Sequence, residues 1–193
     1  MMKLYNLKLH QNQNSVRIPE LVMQQEETQS EFMGLDAVAA KRVVYVVDAS
    51  GSMLMHLSSV VKELNRSMQQ LHPKQEFGII FFQQNNAIHV PPKGRLQPAS
   101  GRNISSAINW IGESGHVIPS GGSNPMAAIK AGLRMKPDVM YLLSENITGS
   151  GKYAVSPETI LEALHKLNTQ ESTTGKRRVQ INCVETATTL VWF

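Results

Sequence analysis

Cysteine is almost missing from this sequence. Cys183 stands alone, so no internal disulfide can form, and its place in an apolar alternation makes it a core thiol. Aromatic residues are scarce at 6%. None is interleaved with the one tight basic run, Lys176-Arg177-Arg178, and this argues against a nucleic-acid surface. The net charge of +4 is mild, and the basic run reads as a solvated loop before a strand. Long hydrophobic runs are missing too. No stretch approaches ~20 continuous apolar residues, so no transmembrane helix is expected. Met1 to Leu7 lacks an apolar core of signal-peptide length, and on that ground a cytoplasmic location is slightly favoured.

What remains is globular. Hydrophobic residues make up 41% and charged residues 18% of 193, enough for one domain with a full core and an extension. Residues 1–36 are polar and glutamine-rich, with Gln11, Gln13, Gln24, Gln25 and Gln29, and read as a loosely ordered extension or linker. Pro19 to Met23 could open a short helix within it. Residues 37–193 form the domain.

The domain is organised around Val43-Val44-Tyr45-Val46-Val47-Asp48-Ala49-Ser50-Gly51-Ser52. An apolar run without alternation predicts a central parallel strand covered on both faces. Leu57, Val60, Val61, Leu64, Met68 and Leu71 then recur at helical spacing, predicting about five turns. Phe77 to Phe82 is a second buried strand. A polar turn and Ala87 to Val90 follow, predicting a hairpin and an antiparallel edge strand. Ile104, Ala107, Ile108 and Ile111 form a helical stripe that Asn103 is expected to cap. Ser123-Asn124-Pro125 opens a helix reaching about Met135. Val139 to Leu143 is a third buried strand, Ser156-Pro157-Glu158 starts another helix, and Val179 to Val184 is a strand. Thr188 to Phe193 reads as a final strand or a tail. Alternating strands and helices imply an α/β fold: a Rossmann-like, doubly wound, mostly parallel sheet with helices on both faces.

Three oxygen-rich loops carry the chemistry. They are Asp48-Ala49-Ser50-Gly51-Ser52, Gly121-Gly122-Ser123-Asn124 and Leu143-Ser144-Glu145-Asn146. In a doubly wound sheet such loops meet at the switch point, so Asp48, Ser50, Ser52, Ser123 and Glu145 are expected to converge. Two carboxylates and three hydroxyls suit Mg²⁺ or Mn²⁺, which take hard oxygen ligands in octahedral array. No imidazole or thiolate belongs to the set, which argues against zinc or copper. Each piece has a plainer explanation: Ser50, Ser52 or Ser123 as a helix cap, Asp48 as an acceptor for turn N–H groups.

From about Val43 to Val184 the chain resembles a von Willebrand factor type A domain. Asp48-x-Ser50-x-Ser52 resembles the first segment of that family's metal-ion-dependent adhesion site. Gly121-Gly122-Ser123-Asn124 is similar to its second segment, where threonine is usual. Leu143-Ser144-Glu145-Asn146 is similar to its third, where aspartate followed by glycine is usual. The resemblance implies a non-enzymatic protein-binding module. Its Mg²⁺ or Mn²⁺ takes a carboxylate from a protein partner as last ligand. Ser50 and Ser52 would bind the ion directly, Ser123 directly or through water, and Asp48 and Glu145 largely through waters and hydrogen bonds. It also implies a further helix and strand after the fifth strand, for which Glu185 to Phe193 is too short.

Rival readings are weaker. Asn146 to Tyr153 looks like a phosphate-binding loop, but Asn146 replaces its first glycine and Tyr153 its Mg-binding hydroxyl. An aspartate phosphoryl-transfer enzyme resembling haloacid-dehalogenase phosphatases would want a second aspartate at position 50. His56, His72, His89, His116 and His165 lack metal spacing, and no nucleophile elbow occurs. A scaffold of the same fold that binds partners without metal is the remaining alternative.

Overall fold

A computed structural model describes residues 3–5, 29–32, 35–38, 40–113, 115–170 and 175–185. The strands are β1 (Lys3–Tyr5), β2 (Gln29–Phe32), β3 (Leu35–Val38), β4 (Arg42–Asp48), β5 (Glu76–Gln83), β6 (Asn86–His89), β7 (Gln97–Pro98), β8 (Val139–Ser144) and β9 (Gln180–Glu185). The helices are α1 (Leu57–Gln70), α2 (Gly101–Gly112), α3 (Met126–Arg134) and α4 (Pro157–Leu167), with 3₁₀ turns at Gly51–Met55 and Gly151–Tyr153.

The main sheet runs β1-β9-β8-β4-β5-β6, with β7 also on β5. β9, β8, β4 and β5 are parallel. β6 returns antiparallel on β5 as the hairpin pattern requires, and β7 adds a short antiparallel pairing at the start of β5. A second antiparallel edge lies beyond β9, where β1 pairs Lys3 with Glu185 and Tyr5 with Cys183. β2 and β3 pair with each other, and β3 spans the 36/37 boundary drawn from composition. The Pro19–Met23 segment and Thr188–Phe193 lie outside the described residues.

The central strand is apolar throughout because both its faces are covered. Val43, Tyr45 and Val47 pack with α1 and α2 through Leu64, Met68, Ile104 and Ala107. Val44 and Val46 pack with α3 and α4 through Ala128, Ile129 and Ile160. All five strand residues are fully buried. Burying one such side chain contributes roughly 1.5–3 kcal/mol, which is why this strand anchors the sheet.

Two local expectations change. The helix after Ser52 is 14 residues, about four turns rather than five, and Gly51–Met55 ahead of it winds as a 3₁₀ turn. Ser100, not Asn103, caps α2: its backbone is extended and its hydroxyl accepts the Asn103 N–H at 3.3 Å. Asn103 lies inside the first turn, and its amide donates to Pro98 O at 2.9 Å. Ser156 does cap α4, accepting from Thr159 N–H at 3.2 Å.

Candidate functional site at the switch point

The chain leaves β4 towards β5 on one side and later enters β8 on the other, so the C-terminal ends of β4 and β8 border the crevice where such folds hold ligands. Side chains alternate along each strand. In β4 the odd residues face α1, so Asp48 faces the α3 side. Val47 lies opposite Leu143 in the parallel register. The next pair is therefore Asp48 beside Ser144, both turned the same way.

The Asp48 carboxylate collects three donors. Oδ1 accepts the Ser50 N–H at 2.7 Å. Oδ2 accepts the hydroxyls of Ser144 at 2.6 Å and Ser123 at 3.3 Å. Ser50 Oγ and Ser52 Oγ lie 3.1 Å apart. Asp48, Ser50, Ser123 and Ser144 are buried, whereas Ser52 is exposed, so the cluster opens to solvent on the Ser52 side.

Backbone bonds hold the loops around it. Gly51 N–H donates to Gly121 O at 2.8 Å, and Ser120 N–H to Ala49 O at 3.2 Å. The Gln83 amide ties Ala49 O, at 2.8 Å, to Ile118 O, at 2.6 Å. Ser123 is held on both sides, bridging Gln84 in parallel and Ser150 in antiparallel sense. Ser150 N–H donates to Ser123 O at 2.8 Å, and the two hydroxyls lie 3.3 Å apart. The fit is so close that a Cβ on Gly149 would stand 2.1 Å from Ser123 O.

These hydroxyls are not spent on helix caps. Ser50 precedes the 3₁₀ turn but makes no capping bond with its side chain. Pro125 holds the cap position of α3, and the first N–H of that helix goes to Asn124 Oδ1 at 3.0 Å. Four of the five candidate residues, Asp48, Ser50, Ser52 and Ser123, thus come together. The fifth, Glu145, turns towards α1, where its Oε1 lies 3.5 Å from His56 Nε2.

Ser144, Ser150 and His56 join the site without having been picked from the sequence. Ser144 had a usable signal, since the alternation that aims Asp48 also aims the last residue of β8. Ser150 and His56 had none, because tertiary packing alone brings them close.

The donor set fits a small hard cation. Two cis ligands about 2.1 Å from an octahedral ion stand roughly 3.0 Å apart, close to the Ser50–Ser52 separation. Asp48 Oδ1 keeps a lone pair beyond its one donor. No three of His, Cys, Asp and Glu gather into a metal-holding group among the described residues.

The remaining features around the site are plain. In the loop that resembles a phosphate binder, Thr148 and Gly149 N–H groups turn back on Asn146 and Ser150 N–H on Ser123, so these three N–H groups are already used. Burial pushes the Cys183 thiol up to about 12, consistent with a core thiol. Large apolar side chains exposed among the described residues are Leu54, Met55, Ile118 and Leu167. The first two lie two and three residues past Ser52, and Ile118 sits in the loop tied to Ala49. No helix among the described residues is long and apolar enough to cross a membrane.

No family model matches the sequence, and no curated protein matches it. Among solved structures, the fold is similar to that of a von Willebrand factor type A protein from Catenulispora acidiphila, with a TM-score of 0.54 and 16% identity. The match covers 77% of this chain and 33% of that one, so this chain spans well under half of that protein's length. At this identity the similarity concerns the fold: the chain has a von Willebrand factor A-like α/β architecture.

Proposed function

We propose that this chain is a non-enzymatic protein-binding module whose switch-point cluster holds Mg²⁺ or Mn²⁺ and presents it to a carboxylate of a protein partner. The observation that carries this reading is the cluster around one buried carboxylate: Asp48 accepts the Ser50 N–H and the Ser123 hydroxyl, and the Ser50 and Ser52 hydroxyls lie 3.1 Å apart beside it. Ser50, Ser52 and Ser123 are the direct holders, and Asp48 orients them and offsets the charge. A bound divalent cation supplies an electrophilic point for an anionic side chain. Leu54, Met55 and Ile118 flank the cluster with exposed apolar surface, which suits a protein surface better than a small polar substrate. Asp48 is buried and engaged by three donors, which suits a structural carboxylate better than an attacking one.

Calorimetric titration of metal-free protein with Mn²⁺, repeated for Ser50→Ala, tests the reading. The expected result is saturable binding in wild type, weakened by about tenfold or more in the variant. Equal heats in both overturn it.

A metal-free scaffold is the second reading, and one observation favours it. The three donors on Asp48 satisfy that buried carboxylate without any ion. Under that reading partner capture persists in a chelator and Mn²⁺ leaves the unfolding temperature unmoved.

A further inference from the structure

We infer that His56 sets the charge of this site by holding Glu145 away from it. The inference rests on the metal-site reading above. Strand alternation turns Ser144 to Asp48 and Glu145 to the α1 side. There His56, at the start of α1 and four residues past Ser52, faces it at 3.5 Å. The Glu145 side chain is 15% exposed, so it is mostly buried in this position. Its contact there is the His56 imidazole, an ion pair when that ring is protonated, and no hydrogen bond joins it to Asp48, Ser50, Ser52 or Ser123 among the described residues.

The consequence follows from counting charge. With Glu145 drawn aside, Asp48 is the one carboxylate in the cluster. A divalent cation there keeps an excess positive charge, so it binds weakly alone and more tightly once an anion joins it. Metal affinity rises with the number of charged ligands. His56 therefore trades resting metal affinity for dependence on the partner's carboxylate. By linkage, the anion tightens the metal by the same factor as the metal tightens the anion. His56 is a positioning residue here, acting through Glu145.

Mn²⁺ calorimetry on wild type, His56→Ala, His56→Gln and the double variant His56→Ala/Glu145→Gln tests this, with acetate as the anion probe. The His56 side chain makes no capping bond to α1, and thermal unfolding of each variant reports folding independently. Expected is Mn²⁺ affinity about tenfold or more higher in His56→Ala, with the gain removed in the double variant. His56→Gln, whose amide can still donate to Glu145, stays near wild type. Acetate tightens Mn²⁺ in wild type and less in His56→Ala.

Equal Mn²⁺ affinity in wild type and His56→Ala overturns the inference and leaves the metal-site reading standing. So does a gain that survives Glu145→Gln. Binding only in His56→Ala supports the inference while removing the claim that the wild-type module works through metal. No binding in any variant overturns both.

Discussion

The Ser144 hydroxyl donates to Asp48 Oδ2 at 2.6 Å, and both groups are buried. Ser144 is the last residue of β8 and Asp48 the last of β4. This one contact joins the two strand ends that border the crevice. The same hydroxyl receives the Asn146 N–H at 3.1 Å, so it also shapes the turn that swings Glu145 towards α1.

Ser144→Ala removes a charge-assisted hydrogen bond and leaves the Asp48 carboxylate short of a donor in a buried place. A loss of about 1–3 kcal/mol in unfolding free energy is expected, measured by urea denaturation. Under the metal reading, Mn²⁺ affinity falls as well, because Asp48 no longer holds its orientation. A variant as stable as wild type would show that water replaces the hydroxyl without cost.

Gly149→Ala tests how Ser123 is held. Gly149 has φ of +84°, and a Cβ there would lie 2.1 Å from Ser123 O. Left-handed backbone alone costs a non-glycine residue roughly 1–3 kcal/mol, and the clash forces the loops apart besides. The expected result is a stability loss at least this large, together with weaker Mn²⁺ binding from the displaced Ser123 hydroxyl. Denaturation and calorimetry on the same sample read both.

Asp138 makes a pH prediction at the opposite end of the sheet. Burial pushes its carboxyl up. The Arg42 guanidinium, at 2.6 Å, and the N–H groups of Arg42 and Lys41 outweigh burial and hold it below its ordinary 3.8. A carboxylate depressed in the folded state adds stability above its unfolded value, and loses it as pH falls through the folded value. Asp138→Asn is therefore expected to be less stable than wild type near neutrality, with the gap closing below pH 3.8. Both side chains are partly exposed, so added salt shrinks the gap. Denaturation midpoints across an acid series measure it.

Much of this fold was legible because burial leaves a pattern. Val43 to Val47 reads as a doubly covered strand since no polar residue interrupts it, and Phe77 to Phe82 likewise. The β5–β6 hairpin was legible from the polar turn between its two strands. Ser156-Pro157 marked α4 because capping is a local bond. Asn103 was misassigned because Ser100, three residues earlier, offers the same chemistry, and only the backbone angles decide between them. β7 is two residues long, too short for any period, and exists because β5 offers an edge.

The site divides the same way. Asp48, Ser50 and Ser52 were legible from one short motif, and Ser123 from a helix start beside two glycines. Glu145 drew attention as a carboxylate at the right strand end, while alternation turns its neighbour Ser144 to Asp48. The His56–Glu145 pair joins residues 89 positions apart, and nothing local in sequence foretells it.

The most direct test is a crystal grown in Mn²⁺ and measured for anomalous scattering. The expected result is a peak in the switch-point cluster, about 2.1–2.3 Å from the Ser50 and Ser52 hydroxyl oxygens, with Glu145 still beside His56. Ser50, Ser52 and Ser123 arranged as described, with no peak among them in Mn²⁺-soaked crystals, would contradict the metal site and leave a hydrogen-bonded scaffold in its place.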